Sequence, residues 1–540
     1  MTISAPLHVD ITYRGGTDGW YEPAAAASQI NENELLIMAY GGTYAITNDA
    51  GASFTGGWHF HVNDPFAACA RGSGRIFAGG HSANPSLIFY TYRDPGGSTL
   101  AGQPTFSQFQ VQDRPSLAIG PAPGDPSTLR YYFTYNQPLL QPGGPAHLTC
   151  RAGATGPIHA SATDTPLVAT PNPWSTVQLK PEPSIGFPCD YEGWGAAAVV
   201  CNNGTIVVAT ADAISHADGT GLYNNRRPYI LFSLDGGQTW NPQSYPPIRL
   251  AGDPPINVAR RYYGASTDPG DTPYGIDKRT NSPSIAVDRS VEPNIVYVAF
   301  YGRAAGVEGL DTDDRNADIY IFRGTNNGTS WGNLPGQHFI QITDAALGIP
   351  EEQITEVGPD QAAPALAVDC SGALCLTFYD NRHDTAAPAY QNKKVDVYFL
   401  RLAWPSAGPW SVLTQARLTQ HTFPIPGSTG NAGAALSDFY HLPVAGESQR
   451  RLYPVYIARE PDGSGGWTQR RLFTHRVTVN LCPSGPMGML FEPEHHADEL
   501  VGYIVDTDPR GDLNADDWTD LDDLELLEYW LSNPDARAAR

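Results

Sequence analysis

Apolar runs of four to seven residues, separated by clusters of Gly, Pro, Asn and Asp, recur along most of the 540-residue chain. Such runs are too short for helices and are bounded by helix-breaking residues, so the pattern predicts β-strands. Two copies are clearest. Pro283-Ser-Ile-Ala-Val-Asp288 precedes Asn294-Ile-Val-Tyr-Val-Ala-Phe300, and Pro364-Ala-Leu-Ala-Val-Asp369 precedes Ala373-Leu-Cys-Leu-Thr-Phe378. After a polar stretch both resume with Asp-x-Tyr-x-x-Arg, as Asp318-Ile-Tyr-Ile-Phe-Arg323 and Asp396-Val-Tyr-Phe-Leu-Arg401. Weaker copies begin at Pro23, Pro65, Pro115, Gly195 and near Phe439, which makes seven. One small sheet cannot bury both of its faces, whereas like sheets stacked around an axis can. The expected fold class is therefore all-β, a seven-bladed β-propeller, with six blades as the alternative count and a β-sandwich as the competing architecture.

A turn motif points the same way. Ser233-Leu-Asp235-Gly-Gly237-Gln-Thr-Trp240 fits Ser-x-Asp-x-Gly-x-x-Trp; Thr47-Asn-Asp49-Ala-Gly51-Ala-Ser-Phe54 and Gly324-Thr-Asn326-Asn-Gly328-Thr-Ser-Trp331 keep its spacing. The Asp or Asn oxygen can satisfy backbone donors across a tight hairpin, the Gly supplies positive φ, and the ring plugs the turn onto the sheet. On these residues the chain resembles the Asp-box (BNR-repeat) propellers of the sialidase-like superfamily, over residues 20–480. That resemblance implies a propeller spanning 1–480, with its Asp-box turns on one face and its functional loops on the other.

Composition narrows the class. Gly (55) and Pro (47) together are too abundant for a helical bundle, and 41% hydrophobic residues exclude wholesale disorder. The formal net charge of −23 argues against nucleic acid and against an anionic membrane surface. No run reaches the roughly 20 apolar residues of a membrane span, and the N-terminus shows no signal peptide. A secreted or cell-surface location is expected from the acidic, turn-rich composition. Of seven cysteines, Cys370 and Cys375 could close a hairpin disulfide or remain two buried thiols.

The connections at 211–226, 302–316 and 380–394 are long and polar, and loops of that length inside repeats usually carry function. Acidic residues recur at the starts of the inner strands: Glu22, Asp64, Asp113, Asp190, Asp360 and Asp438. Crowded carboxylates raise one another's pKa, which is how general acids arise; capping of strand ends is the bland alternative. Arg114, Arg303 and Arg382 are interleaved with them and could clamp a carboxylate. The resemblance implies that such arginines hold a sugar acid and that a Tyr beside a carboxylate is the nucleophile, which singles out Tyr191 next to Asp190 and Glu192, and Tyr440 near Asp438. Asp380, in Asp380-Asn-Arg382-His383-Asp384, is a further acid or base candidate, or one half of an ion pair. The Phe-Arg-Ile-Pro segment of sialidases is absent, and true sialidases have six blades.

Beyond a linker at 481–504 the composition changes. Residues 505–540 contain Asp512, Asn514, Asp516, Asp520 and Asp523 at loop positions 1, 3, 5, 9 and 12, with the Trp518 carbonyl at position 7. Oxygen ligands at that spacing wrap Ca²⁺. A short apolar stripe, Leu524, Leu527 and Trp530, follows on an expected helix. The segment resembles a dockerin repeat, which implies a cohesin-like protein partner, although position 6 is Asp517 rather than Gly and one loop is present where dockerins carry two. The expected function is a carbohydrate-active protein, a glycoside hydrolase or lyase acting on acidic glycans or polysaccharides. The rival is a non-catalytic scaffold or adhesion propeller docked by its tail.

Overall fold

The computed structural model describes residues 1–9, 23–82, 87–101, 105–110, 113–136, 158–164, 166–167, 175–179, 194–214, 225–241, 256–257, 283–304, 318–331, 339–342, 344–349, 359, 361–385, 394–405, 409–424, 443–447, 449–468 and 471–479. They form seven antiparallel sheets. From the inner strand outward, blade 1 is Ala24–Ala27, Leu35–Ala39, Thr43–Thr47 and Thr55–Trp58. Blade 2 is Asn63–Ala70, Arg75–His81, Leu87–Arg93 and Thr105–Gln110. Blade 3 is Asp113–Ala122, Asp125–Asn136, Ile158–Thr163 and Ser175–Gln178. Blade 4 has three described strands, Trp194–Val200, Ile206–Ile214 and Asn225–Ser233. Blade 5 is Ser284–Asp288, Ile295–Ala304, Asp318–Thr325 and Phe339–Ile342. Blade 6 is Gln361–Val368, Leu374–Asp380, Lys394–Ala403 and Ser411–Arg417.

Blade 7 is built from both ends of the described chain. Val444–Ala445, Arg451–Ala458 and Arg471–Thr474 are joined by Leu7–Val9, which pairs with Arg471–Thr474 as the outer strand. The inner strands touch in cyclic order from blade 1 to blade 7 and back to blade 1, so the ring is closed. The described inner strand of the seventh repeat is Val444–Ala445, behind Pro443; Phe439 lies outside the described residues.

Stacking explains the uninterrupted apolar runs. Every residue of Leu35–Ala39 is buried, because each face of a blade packs on a neighbouring blade. Phe66, Phe77 and Tyr90 of blade 2 meet Tyr131 and Phe133 of blade 3, and Val199 and Val207 of blade 4 meet Val296 and Phe322 of blade 5. Burying each such side chain contributes about 1.5–3 kcal/mol.

The repeated Pro also has a structural reason. In blades 2, 3 and 6 the inner strand carries a bulge at its start, between Asn63 and Phe66, Asp113 and Ser116, and Ala362 and Ala365. Pro65, Pro115 and Pro364 fall inside these bulges, where a missing N–H breaks no ladder bond. Blade 4 has the same bulge between Trp194 and Ala197 without a Pro.

The turns between third and fourth strands lie at the opposite end from these bulges. Asp235 Oδ1 accepts from Thr239 N at 2.8 Å, the Ser233 hydroxyl accepts from Gly237 N at 2.8 Å, and Trp240 Nε1 donates to Gly237 O at 3.1 Å. Gly237 sits at φ 87°, a conformation that a side chain disfavours. Asp49 bonds Ser53 in the same way, and Trp331 Nε1 reaches Gly328 O at 2.7 Å.

The seam of blade 7 carries a buried histidine. His475 Nδ1 donates to Ser4 O at 2.9 Å, and its Nε2 accepts from the Tyr456 hydroxyl at 2.9 Å. Burial holds this imidazole below its ordinary value of 6.5, against opposing hydrogen bonds to Ser4 and Leu418. The unfolded chain therefore binds the proton more readily, and stability falls as pH drops below about 6.5, down to the folded-state value. We expect the unfolding midpoint to decline over that window and the decline to be smaller in His475→Gln; equal slopes in both proteins would contradict the assignment.

Cys370 and Cys375 are not paired with each other. Cys370 is disulfide-bonded to a partner outside the described residues, while Cys375 is a free, buried thiol. In this hairpin Ala367 faces Cys375 and Val368 faces Leu374, which leaves Cys370 out in the turn.

Candidate functional site

The starts of the inner strands and the connections between second and third strands lie at one end of the ring, the top. The strands run further into those connections than the sequence suggests, narrowing them to 215–224, 305–317 and 381–393. The described top-face chemistry concentrates on blade 6.

Asp380 ends the second strand and is fully buried. Its carboxylate accepts from Arg382 Nε at 2.9 Å and Nη2 at 2.6 Å, and Oδ1 also accepts from the Arg382 backbone N–H at 2.7 Å. Gln361, at the start of the inner strand, donates to Asp344 Oδ1 at 2.9 Å and more weakly to Asp380 Oδ2 at 3.4 Å. The Arg382 guanidinium lies 4.1 Å above the Tyr398 ring and donates to Leu347 O at 3.3 Å. Burial works against the Arg382 charge, but Asp380 outweighs it and holds the guanidinium above its ordinary value. Burial pushes the Tyr398 hydroxyl up to about 12. The bidentate fork of Arg382 is thus already spent within its own blade.

One step outward stands a different pair. Asp396, near the start of the third strand, lies opposite Asp380 in register, and its side chain is fully buried. Oδ1 accepts from Arg417 Nε and Nη2 at 2.9 and 2.7 Å and from Thr419 Oγ1 at 2.8 Å, while Oδ2 accepts from Thr422 Oγ1 at 3.0 Å. The remaining bond, at 2.8 Å, comes from Nδ1 of His383. Burial tends to raise the Asp396 carboxyl, but the bonds from His383 and Thr419 and the charge of Arg417 prevail and hold it below the usual carboxylate value. An ionised Asp396 fixes the proton on Nδ1 and leaves the lone pair on Nε2. The His383 side chain is 42% exposed, and Nε2 has no partner among the described residues. A buried carboxylate behind an exposed imidazole is an arrangement suited to proton transfer.

Of the acids expected at the starts of the inner strands, Asp64, in the blade 2 bulge, has a described side chain. Its Oδ2 lies 2.8 Å from His81 Nε2, and His81 Nδ1 lies 3.2 Å from Ser82 O, so this imidazole is engaged on both sides and enclosed.

The backbone register places Arg114 in the blade 3 bulge and Arg303 near the top of the second strand of blade 5, opposite Asn257. Both therefore share the top with Arg382; their side chains, and that of Asp113, lie outside the description. Glu22, Asp190, Tyr191, Glu192, Asp360, Asp438 and Tyr440 lie outside the described residues, as do Asp512, Asn514, Asp516, Trp518, Asp520 and Asp523. Among the described residues no three His, Cys, Asp or Glu side chains gather as metal ligands, and no helix is long and apolar enough to cross a membrane.

Sequence reasoning passed over His383 and Asp396 as a pair. The signal was present in part: Asp396 heads the repeated Asp-x-Tyr-x-x-Arg, and His383 belongs to the polar cluster that follows Asp380.

Fold and top-face geometry together define a seven-bladed β-propeller with a carboxylate-backed imidazole at its top. No family model matches the chain, and no curated protein matches it. Among solved structures it is similar to an ulvan lyase representing a new polysaccharide lyase family, at 12% identity over 74% of this chain and 79% of that one, with a TM-score of 0.38. It is also similar to the Trypanosoma rangeli sialidase, at 13% identity over 84% and 60% of the two chains, TM-score 0.33. A lectin from Burkholderia pseudomallei matches at 10% identity over 86% and 100%, TM-score 0.40.

Proposed function

We propose that this chain is a carbohydrate-active propeller acting on an acidic glycan at its top face, as a polysaccharide lyase. The observation that carries the reading is the partly exposed His383 imidazole, backed through Nδ1 by the buried Asp396. In β-elimination next to a uronic carboxylate, Nε2 takes the proton from the carbon bearing the carboxylate. The electron pair left behind forms the carbon–carbon double bond, and the glycosidic oxygen departs and takes up a proton. Arg303 and Arg114, with positions at the same end of the ring, supply the positive charge that the enolate-like carboxylate requires. A hydrolase with two carboxylates needs both free to take and give protons. Asp380 is tied to Arg382 and Gln361, and Asp396 to Arg417, Thr419 and Thr422, which supports elimination over hydrolysis. Tyr191, Tyr440, Asp190, Glu192 and Asp438 remain candidates for the group that protonates the leaving oxygen.

The test is incubation with uronic-acid polymers and with sialylated glycans, following ultraviolet absorbance of an unsaturated product and release of sialic acid in parallel. Absorbance growth on a uronate polymer supports elimination. Sialic acid release without it replaces the lyase by a sialidase, and turnover of neither leaves the scaffold reading. For residues 505–540 we propose one bound Ca²⁺ and docking to a cohesin-like partner. A calcium-dependent thermal shift should vanish in the Asp512→Ala, Asp516→Ala double variant, and its persistence would remove the proposal.

A further inference from the structure

The turns joining first and second strands converge at the bottom end of the central channel, and their bonds connect blades that are not neighbours. Arg289 of blade 5 donates from Nη1 to Glu447 Oε2 of blade 7 at 2.6 Å and from Nη2 to Val200 O of blade 4 at 2.9 Å. Arg71 of blade 2 donates from Nη1 to Asn202 Oδ1 of blade 4 at 3.1 Å. Gln29 of blade 1 reaches Glu447 O at 3.3 Å. Links between blades 2 and 4 and between 5 and 7 run across the ring, so this end of the channel is crossed by side chains.

The charges at this floor do not balance. Both oxygens of Glu447 are committed to blade 5, Oε2 to Arg289 and Oε1 to the backbone N–H of Val287 at 2.7 Å. Among the described residues Arg71 has an amide oxygen as its hydrogen-bond partner and no carboxylate. The Arg289 side chain is 8% exposed, and its Nε–H has no hydrogen-bond acceptor among the described residues. Burial, then the like charge of Arg289, pulls the Arg71 guanidinium down to about 9, against the opposing pull of Glu447 and Cys69. Among the hydrogen-bonded partners described, Arg71, half-buried, and Arg289, enclosed, thus have one carboxylate between them, that of Glu447, and an under-compensated enclosed charge is destabilising. Guanidinium N–H groups are satisfied by compact anions as well as by carboxylates.

We propose that the floor of the channel binds one small inorganic anion, of the size of chloride, held between Arg71 and Arg289. The site forms locally although the whole chain carries a net charge of −23, so it selects for a small ion that fits among the turns rather than a polyanion. It is separate from the His383 site, being at the opposite end of the ring.

The experiment uses the intact chain, comparing sodium chloride with sodium gluconate at constant ionic strength. The unfolding midpoint should rise saturably with chloride and stay flat in gluconate, as expected for a ligand that binds only the folded state. The chloride NMR line should broaden with protein present and sharpen when excess nitrate displaces the ion, and in Arg71→Gln both effects should be lost. The line-width measurement on the unsubstituted protein stands even if the variant fails to fold. Equal midpoints in the two salts with no broadening would overturn the proposal, and so would broadening undiminished in a folded Arg71→Gln.

Discussion

His383→Gln should lower kcat on a responsive uronate polymer by about 10²–10⁴-fold, the range supplied by a positioned proton-transfer group. KM should change little, because an exposed imidazole contributes less to ground-state binding than to the proton-transfer step. Glutamine retains a donor for Asp396 but has no basic atom at the Nε2 position, so the fold is kept while the base is removed. Asp396→Asn is the sharper companion. An amide in place of the carboxylate can present its N–H₂ to Nδ1, which turns the ring toward the other tautomer and puts the proton on Nε2. It also leaves Arg417 with a neutral partner, so its unfolding midpoint must be measured beside its kcat. A kcat unchanged in His383→Gln, measured on a folded protein with activity to lose, would move the base elsewhere on the top face.

The propeller was legible because its determinants are local and repeated. Leu35–Ala39 and residues 296–301 are strand segments with both faces covered, and covered strands read as continuous apolar runs wherever they occur. The Pro at the start of most inner strands is visible in sequence, although its cause, a bulge that leaves one backbone N–H outside the ladder, emerges only from the pairing of Asn63 with His81 and Phe66 with Gly79. The site was legible only in its ingredients. His383 and Asp396 are joined across the 381–393 connection, and nothing in their spacing tells which neighbour of Asp380 turns toward the third strand. Arg382 and Asp380 show the reverse. Asp-x-Arg reads equally well as a substrate clamp or an ion pair, and the choice depends on whether the guanidinium closes back on its own strand, which it does. Blade 7 was the least legible, since Leu7–Val9 reaches it from the other end of the chain.

That closure makes Arg382 the residue whose loss should cost the most stability at the top. Arg382→Ala leaves Asp380 fully buried with its charge uncompensated, a change that destabilises by about 3–5 kcal/mol. It also removes the cation from the Tyr398 ring and a donor from Leu347 O. The double variant Asp380→Asn, Arg382→Met removes both charges and should recover much of that loss, because the penalty lies in the orphaned carboxylate rather than in the pair itself. A substrate clamp would behave otherwise. Its truncation would raise KM on an acidic polymer and leave the unfolding midpoint nearly unchanged, and Asp380→Asn would offer no rescue. Denaturant unfolding of the two single variants and the double variant therefore separates the roles: a large loss with partial recovery in the double variant assigns the pair to the architecture of blade 6, and leaves Arg303 and Arg114 as the arginines at the top to hold a sugar carboxylate. A midpoint indifferent to Arg382→Ala, with KM raised, would return Arg382 to the binding site and require Asp380 to release it when the glycan arrives.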